Sequence, residues 1–320
     1  MTLDASRRGA YRPRRKRSGN PPPFQLTDRD IEIVRAVARH RFLHSGHIAD
    51  LIDGSDKNIA NRQKGLFEHG FLDRPDCQYD FYRPGGGSSR AVYALGDKGA
   101  RLLAHHDRLT FGPSVSWAHK NRKVGRPFLE HTLAIADFAV GLTVAVAASP
   151  VVDLTDGAEL FARLPAPTRD APKPYRLSVP LTFRATRHTI GIEPDYAFSL
   201  GFPTKGRRIN FLVEIDRGTM PIERSDITQS SILRKFLAYQ ALWRARLHTQ
   251  AFGWRNFRVL IVTTNTAHME TMREVLGRHA GGKGSALFWF ANRETLTARN
   301  TLEHVWIDGQ GNERRLLPRQ

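Results

Sequence analysis

The 320-residue chain has very little cysteine and lacks an apolar segment at its start. Its single cysteine, Cys77, cannot form an internal disulfide or a zinc cluster built from cysteines. The thirteen histidines show neither an HExxH pattern nor paired ligand spacing, so we interpret most of them as surface residues. Because no apolar signal-peptide core is present, we expect a cytoplasmic protein.

Acidic residues are also scarce relative to basic ones. The chain has 49 Lys and Arg against 31 Asp and Glu, which gives a formal net charge of +18. A basic surplus of this size favours a polyanionic partner, with nucleic acid as the first candidate and an anionic membrane surface as the second.

One apolar run, residues 133–152, is long enough to raise the question of a membrane span. Asp137 lies in its middle, Glu130 and His131 lie at its start, and Pro150 lies near its end. These residues favour a buried helix, so we expect DNA and not a membrane as the partner.

The first 23 residues combine a block of positive charge with three consecutive prolines. Such a segment does not fold alone. We interpret residues 1–23 as a disordered basic arm that binds DNA phosphates without sequence preference, and a solvated tail is the alternative. The basic residues of this arm are Arg7, Arg8, Arg12, Arg14, Arg15, Lys16 and Arg17.

Three helices are predicted after the arm. Capping residues precede amphipathic patterns in each case, and Gly70 provides the stop signal for the third helix. The predicted helices run from Thr27 to His40, from Ser45 to Ile52, and from Ser55 to Glu68.

Two strands, QYDFYRP and RAVYAL, follow around the glycine-rich tip GGGSS. Three helices followed by two strands around such a tip resemble a winged helix-turn-helix over residues 24–106. This resemblance implies that the third helix enters the DNA major groove. A winged helix used for protein contacts is the alternative. The candidate DNA-binding residues are Lys57, Asn58, Asn61, Arg62 and Lys64 on the third helix, and Arg83 and Arg90 beside the tip.

Residues 107–127 are interpreted as a basic linker. Its positive charge suits DNA that runs between two domains, and a solvated linker is the alternative. The basic residues are Lys120, Arg122, Lys123 and Arg126.

Two predicted strands, IGIEPDYAFSLGF and RINFLVEIDRGT, carry acidic residues. Residues two apart on a strand share a face, so Glu214 and Asp216 point the same way. If the two strands form a hairpin, Asp195 lies opposite them. Carboxylates brought together repel one another unless a hard cation lies between them, which predicts Mg²⁺ or Mn²⁺.

Pro194-Asp195 followed by Glu214-x-Asp216 resembles the PD-(D/E)xK nuclease motif, and the string PD…VEIDRGT…K…Y resembles the replication-relaxation family of plasmid and mobile-element proteins. The nuclease resemblance implies that Asp195 and Glu214 bind the metal. It also implies a further acidic ligand from the preceding helix, for which Glu130 is the candidate. The alternative for Glu130 is a helix-start glutamate favoured by the helix dipole.

The motif normally has a lysine two residues after its second acid, and here that position is Asp216. Asp216 could be a third ligand or a water-positioning base, or it could have a structural role in the turn. Alternatively, Lys235 on the following helix replaces the lysine, four residues before Tyr239 on one face. The candidate catalytic residues are therefore Asp195, Glu214, Asp216 and Lys235.

The order of the remaining elements completes the fold prediction. A long helix begins at Phe128, strands AELFARL and YRLSVPLTF are expected before the acidic pair of strands, and a helix and a strand follow them. We predict an α/β protein with an N-terminal winged helix and an αβββαβ restriction-endonuclease-like core over residues 128–305, with residues 306–320 as a tail.

The family resemblance implies a DNA-binding protein of a plasmid or mobile element that acts in replication, relaxation or mobilisation, with a metal-dependent DNA-nicking activity. The alternative is a non-catalytic replication or transfer accessory factor, or a transcriptional regulator, with a degenerate nuclease fold. A covalent tyrosine relaxase would need a histidine triad, and no such spacing is present.

Overall fold

A computed structural model describes residues 16–79, 90–108, 116–297 and 300–317. The chain divides into two compact units, Met1–Ala136 and Asp137–Gln320, and the boundary falls within one long helix.

The first unit combines helices with a small antiparallel sheet, in the strand order β1-β3-β2. A 3-10 turn, Asp76–Tyr79, lies between β2 and β3. The elements are α1 (Asp28–His40), β1 (Phe42–His44), α2 (Ser45–Leu51), α3 (Asp56–Glu68), β2 (Leu72–Asp73), β3 (Val92–Leu95), α4 (Asp97–His106) and α5 (Trp117–Arg122).

The three predicted helices are present with nearly the predicted bounds. Thr27 caps α1, Ser55 precedes α3, and Gly70 has the positive φ that ends the third helix sharply. The cap of α2 differs from the prediction, because the Nδ1 atom of His44 accepts a 3.0 Å hydrogen bond from the His47 amide. His44, and not Ser45, is therefore the capping residue.

The predicted strand QYDFYRP is wrong in its first part, because Gln78 lies in the 3-10 turn. The Gln78 side chain replaces a strand partner: its amide nitrogen donates to the Val92 carbonyl at 3.0 Å, and its oxygen accepts from the Val92 amide at 2.8 Å. The remainder of that strand, the GGGSS tip and Arg83 lie outside the described residues.

The predicted arm is attached to the first unit at its C-terminal end. Arg17 donates to the carbonyl of Phe67 at 2.7 Å and to that of Leu72 at 3.0 Å, and it forms an ion pair with Asp73 at 3.0 Å. Arg17 is therefore part of the folded unit, and residues 1–15 of the arm lie outside the described residues.

The predicted linker, residues 107–127, contains helix α5. The Trp117 amide donates to Asp97 at 2.6 Å, and the buried Asn121 side chain donates to the Leu95 carbonyl at 2.9 Å. These bonds fix α5 to the start of α4 and to β3, so this segment is not a solvated linker throughout.

A buried ion pair joins α1 to α3. Asp30 is fully buried and accepts two hydrogen bonds from Arg62, one of which is 2.7 Å long. Asp30 also accepts from the Thr27 amide at 2.7 Å, which completes a capping box. Arg62 donates in addition to the Gln25 carbonyl at 2.7 Å and lies over the ring of Phe24.

The second unit is built around a seven-stranded mixed sheet. A second 3-10 turn, Pro203–Lys205, joins β7 to β8. The elements are α6 (Arg126–Ala147), which begins in the first unit, β4 (Asp153–Asp156), α7 (Gly157–Ala162), α8 (Ala166–Arg169), β5 (Leu177–Phe183), β6 (Thr186–Ile192), β7 (Tyr196–Phe202), β8 (Arg207–Ile215), α9 (Ile232–Arg244), α10 (Leu247–Phe252), β9 (Arg258–Thr263), α11 (Thr266–His279), β10 (Phe288–Asn292), β11 (Trp306–Asp308) and β12 (Glu313–Arg314).

The strand order is β12-β11-β10-β9-β8-β7-β4, and β5 and β6 form a separate antiparallel pair. Strands β8, β9 and β10 are parallel to one another, whereas the outer pairings are antiparallel. The apolar residues of β9, VLIV, are buried on both faces, as is usual for a central parallel strand. This mixed architecture confirms the predicted α/β class.

Two strand predictions in this unit are wrong. Residues 158–162 of the segment AELFARL lie in α7, which buries Leu160, and the strand that enters the sheet is β4 just before it. The segment IGIEPDYAFSLGF is not one strand. It breaks at 193–195, so that β6 pairs with β5 whereas β7 pairs with β8.

The predicted tail, residues 306–320, contributes two strands to the sheet, and its last three residues lie outside the described residues. Trp306 is fully buried, β11 pairs with β10, and β12 pairs with β11. Asp308 is also buried and binds Arg314 at 2.9 Å, which fixes the turn between β11 and β12.

Helix α6 is the one helix among the described residues that is long and apolar enough, by length and composition, to cross a membrane. Half of its apolar window is buried within the protein, including Leu129 and Phe138. A helix packed in a protein core has the same length and composition, so this observation is weak support for a membrane span.

We expect the substitution Arg62→Met to destabilise the first unit, because it leaves the fully buried Asp30 carboxylate without its cation. The expected loss is about 2 kcal/mol, below the usual cost of breaking a buried pair because Arg62 is partly exposed to solvent. Hydrogen exchange of the α1 and α3 amides, measured by mass spectrometry, should become roughly thirtyfold faster. The exposed Arg101 of α4, changed to Met, is the control, and equal exchange in both variants would contradict the assignment.

Candidate functional site

The outer face of α3 carries polar and basic side chains. Lys57, Asn61 and Lys64 follow one another at helical spacings of four and three residues, and Asn58 lies beside them. All four side chains are exposed. The opposite face of α3 is buried, where the Gln63 side chain donates to the Ser45 carbonyl at 3.1 Å and so ties α3 to α2.

Two of the other predicted DNA-binding residues have different surroundings. Arg62 is held in the ion pair with Asp30, which gives it a structural role, and its DNA-binding role stays a prediction. Arg90 is exposed, and its guanidinium lies against Gly46 at the start of α2. Arg83 is outside the described residues.

In the second unit, the predicted acidic residues lie where β7 begins and β8 ends. The register pairs Tyr196 with Val213. The Asp195 amide also donates to the Val213 carbonyl, at 3.0 Å, so the regular ladder ends at Tyr196 and Asp195 lies just outside it. The Asp195 charge acts on the Glu214 carboxylate, so the two side chains lie near one another. One Asp195 carboxylate oxygen accepts a 2.8 Å hydrogen bond from the Ile215 amide.

The Glu214 side chain is the centre of this cluster, and only 3% of its surface is exposed. One carboxylate oxygen forms an ion pair with the Lys235 ammonium, and the other accepts a 2.5 Å hydrogen bond from the Tyr239 hydroxyl. Both partners project from α9, whose first turn is capped by Ser231. Their spacing of four residues brings them to one face of the helix, as the sequence predicted.

The charges in this cluster act on one another. Burial raises the pKa of Glu214, the charge of Asp195 raises it further, and Lys235 opposes both effects. Burial alone would lower the pKa of Lys235, but the charges of Glu214, Asp195 and Asp216 outweigh it, so that pKa is raised. Burial, together with the nearby Glu214 charge, raises the pKa of the Tyr239 hydroxyl well above its ordinary value. Lys235 is therefore a cation and Tyr239 a neutral donor at neutral pH.

The hydrogen bonds of Asp216 go to β9 and not to α9. Its amide donates to the Val262 carbonyl at 2.8 Å, and its carboxylate accepts from the Thr263 hydroxyl at 2.8 Å. The same carboxylate oxygen lies 3.1 Å from the Nε2 atom of His268 in the first turn of α11. These contacts agree with the structural alternative for Asp216, although its charge still reaches Lys235.

Glu130 lies on the part of α6 that belongs to the first unit. Its carboxylate accepts a 2.8 Å hydrogen bond from Arg126, one turn earlier on the same helix. This contact fits the alternative of a helix-start glutamate, and the ligand role of Glu130 stays a prediction.

The donors of this cluster suit a hard divalent cation in chemistry and in number. Mg²⁺ commonly takes one or two carboxylates from a protein and fills its remaining positions with water and phosphate. Asp195 and Glu214 supply two such carboxylates, and each Glu214 oxygen keeps a second lone pair beside its present bond. Asp195, Glu214 and Asp216 do not form a set of three whose ligand atoms all lie within 4.8 Å, as far as the structure describes the chain. The assignment of Asp195 and Glu214 as metal ligands stays a prediction.

Thr263 and His268 were missed by the sequence analysis. Thr263 ends a strand that reads only as a buried apolar run, and most histidines were interpreted as surface residues. Their proximity to Asp216 depends on the parallel pairing of β8 with β9, which brings the carboxyl ends of the two strands to one edge. The only local signal is the cap of α11, where the Asn265 side chain accepts from the His268 amide at 2.9 Å.

A family model described as replication-relaxation matches residues 34–255, which are 222 of the 320 residues. The chain belongs to the replication-relaxation family. The matched region contains α3 and the cluster of Asp195, Glu214, Lys235 and Tyr239, whereas His268 lies beyond it. The predicted family is thus confirmed. No curated protein and no solved structure matches the chain.

We expect the substitution Lys235→Met to destabilise the second unit by about 3 kcal/mol at neutral pH, because it leaves Glu214 buried without a cation. Burial and Asp195 then raise the pKa of Glu214 with no opposing charge. The folded state binds the proton more tightly than the unfolded state, so stability is kept below the ordinary carboxylate pKa and is lost as the pH rises through the raised pKa. The deficit should shrink towards about pH 4.

Urea unfolding followed by tryptophan fluorescence measures this effect, because four of the five tryptophans lie in the second unit. The double variant Lys235→Met/Glu214→Gln is the control and should lose the pH-dependent part of the deficit. A deficit that is the same at all pH values would show that Glu214 is not the group responsible.

Proposed function

We propose that the protein binds duplex DNA through α3, in the manner of a winged helix-turn-helix, and acts in the cytoplasm in the replication or relaxation of a plasmid or mobile element. The observation that carries this proposal is the exposed polar face of α3, where two lysines flank two asparagines. The net charge of +18 and membership of the replication-relaxation family support it.

The chemistry of this face suits DNA. Lys57 and Lys64 are seven residues, or about 10 Å, apart along the helix, so both can contact phosphates while the helix lies in the groove. Asn58 and Asn61 lie between them. An asparagine side chain has one donor and one acceptor, and together these match the N7 acceptor and the N6 donor of adenine. The order of helices α1 to α3 and strands β2 and β3 supports the winged-helix interpretation.

The order of elements in the second unit supports a nuclease-like core. Helix α6, strands β4, β7 and β8, helix α9 and strand β9 follow the αβββαβ pattern, with the β5–β6 pair as an insertion and β10 to β12 as additions. In this pattern Asp195 and Glu214 occupy the motif positions, and Lys235 takes the place of the motif lysine.

Metal-dependent DNA nicking is the second candidate function, and the contact of Lys235 with Glu214 favours it. Asp195 and Glu214 would hold Mg²⁺ or Mn²⁺, which supplies an activated water and neutralises charge on the scissile phosphate. The Lys235 ammonium stays protonated because of the surrounding acids, so it can bind a phosphate oxygen. Tyr239 orients the Glu214 carboxylate through its hydroxyl.

The non-catalytic alternative uses the same contacts differently. In an accessory factor or transcriptional regulator, Lys235 would serve only to neutralise the buried Glu214 carboxylate, and the second unit would be a structural part of the assembly on DNA. Both candidates share the DNA-binding role of α3.

We expect the double substitution Lys57→Ala/Lys64→Ala to lower affinity for duplex DNA about tenfold at low salt, because it removes two phosphate contacts. The slope of log affinity against log salt should become shallower by about 2, since each phosphate contact adds roughly 0.9. Fluorescence anisotropy with a labelled duplex measures both quantities. Lys98→Ala, an exposed lysine on α4, is the control, and an equal effect of that change would contradict a specific role for α3.

For the nicking candidate, we expect supercoiled plasmid to be converted to the relaxed form in the presence of Mg²⁺ or Mn²⁺. Asp195→Asn and Glu214→Gln should each reduce the rate by more than about a hundredfold, whereas the exposed neighbour Glu193→Gln should not. Agarose gel electrophoresis distinguishes the two forms. Normal DNA binding by the wild-type protein with no nicking in either metal would favour the non-catalytic alternative.

A further inference from the structure

A cavity of about 580 Å³ lies in the second unit, at the end of the sheet where β8 and β9 begin. Arg207 and Arg258 open those two strands, and Arg314 and Arg315 come from β12 and the residue after it. Trp289 of β10 lines the same cavity. We call this cavity the arginine pocket.

The arginine pocket is separate from the carboxylate cluster around Glu214. Arg207 is the first residue of β8, and Glu214 is next to the last. Seven residues at about 3.3 Å each put roughly 23 Å of strand between them. The pocket also shares no residue with α3, so neither of the functions proposed above accounts for it.

The pocket has an excess of positive charge. Arg314 is paired with the buried Asp308, but neither Arg207 nor Arg258 forms an ion pair with a carboxylate of the described residues. Arg315 donates to the backbone carbonyl of Glu303. The lining thus contains three arginines without a carboxylate partner among the described residues, Arg207, Arg258 and Arg315. The one carboxylate of this described lining is that of Glu313, which is exposed. Such an arrangement of guanidinium groups suits the oxygens of a phosphate.

The surroundings of Arg258 disfavour its positive charge. Its side chain is half-buried, and both burial and the neighbouring Arg314 charge lower its pKa, with Asp308 opposing them. One of its guanidinium nitrogens donates to the Phe257 carbonyl at 2.9 Å. An anion in the pocket would reduce the repulsion between Arg258 and Arg314, so the electrostatics of the cavity favour anion binding.

The aromatic part of the lining narrows the class of anion. The Trp289 indole N–H is satisfied by the Ala286 carbonyl at 3.2 Å, so what the ring presents to the cavity is apolar. Arg207 lies over the ring of Phe202, 5.3 Å from its centroid, which holds its guanidinium plane in place. Flat apolar and guanidinium surfaces are those on which nucleic-acid bases stack.

We propose that the arginine pocket binds one nucleotide, with its phosphate on Arg207, Arg258 and Arg315 and its base against Trp289. The cavity volume lies in the range of small-molecule sites. The nucleotide could be free or could be the terminal residue of a single-stranded DNA, because both present the same phosphate and base.

Isothermal titration calorimetry with deoxyadenosine 5′-monophosphate tests the proposal on the full chain. We expect saturable binding to the wild-type protein, a loss of affinity of about tenfold or more in Arg207→Glu, and no binding of deoxyadenosine, which lacks the phosphate. Arg187→Glu is the matched control, because Arg187 is also an exposed arginine near the start of a strand, on β6. Arg315→Gln, a milder change, should weaken binding too, and unfolding curves establish that each variant is folded.

A second titration distinguishes the two sources of the nucleotide. A labelled single-stranded oligonucleotide, with either a 5′-phosphate or a 5′-hydroxyl, is titrated into the Lys57→Ala/Lys64→Ala variant so that α3 contributes little. Tighter binding of the phosphorylated strand, lost in Arg207→Glu, identifies a strand end, whereas equal binding of both strands together with binding of the mononucleotide identifies a free nucleotide. If neither ligand binds saturably, or if Arg207→Glu and Arg187→Glu behave alike, the proposal is wrong whether or not α3 binds duplex DNA.

Discussion

Burial of the Glu214 carboxylate is the constraint on which the centre of the second unit depends. An isolated carboxylate in a protein interior is expensive, and here a lysine and a tyrosine from α9 together satisfy both of its oxygens. The same contacts fix the rotation of α9 against the sheet, because Lys235 and Tyr239 reach Glu214 only from one face of the helix. Phe236, the residue after Lys235, then packs against Phe288 and Phe290 of β10. Polar pairing and apolar packing therefore select the same orientation.

This pairing also bears on the proposed metal site. Affinity for a hard cation rises with the negative charge of its ligands, and the Lys235 ammonium cancels one of the charges that Asp195 and Glu214 provide. A protein site of this kind would bind a divalent ion weakly when alone. The phosphate of a bound DNA strand would supply the missing charge, so metal and DNA would bind together. In the non-catalytic alternative Lys235 serves only to neutralise the buried Glu214 carboxylate, and no cation is required.

The sequence predicted the long elements well because their patterns are repeated over several turns or on a central strand. Helices α1, α3, α6 and α9 and strands β8 and β9 lie close to where they were expected. The spacing of four residues between Lys235 and Tyr239 correctly predicted that both side chains lie on one face of α9. Short segments were less predictable. The apolar pattern of AELFARL fits the period of a helix as well as that of a strand. The break between β6 and β7 depends on long-range pairing, of β6 with β5 and of β7 with β8. The pairing of Arg62 with Asp30 and of His268 with Asp216 joins residues far apart in sequence, which single-sequence patterns cannot reveal.

The seven-stranded sheet ends on two very short strands, β4 with four residues and β12 with two. An outer strand exposes one row of unpaired amide and carbonyl groups, which can recruit a strand from another molecule. With so few groups on either side, the sheet offers little template for growth by strand addition. A strongly basic chain that binds to a polyanion reaches a high local concentration there. Short edge strands limit self-association under that condition.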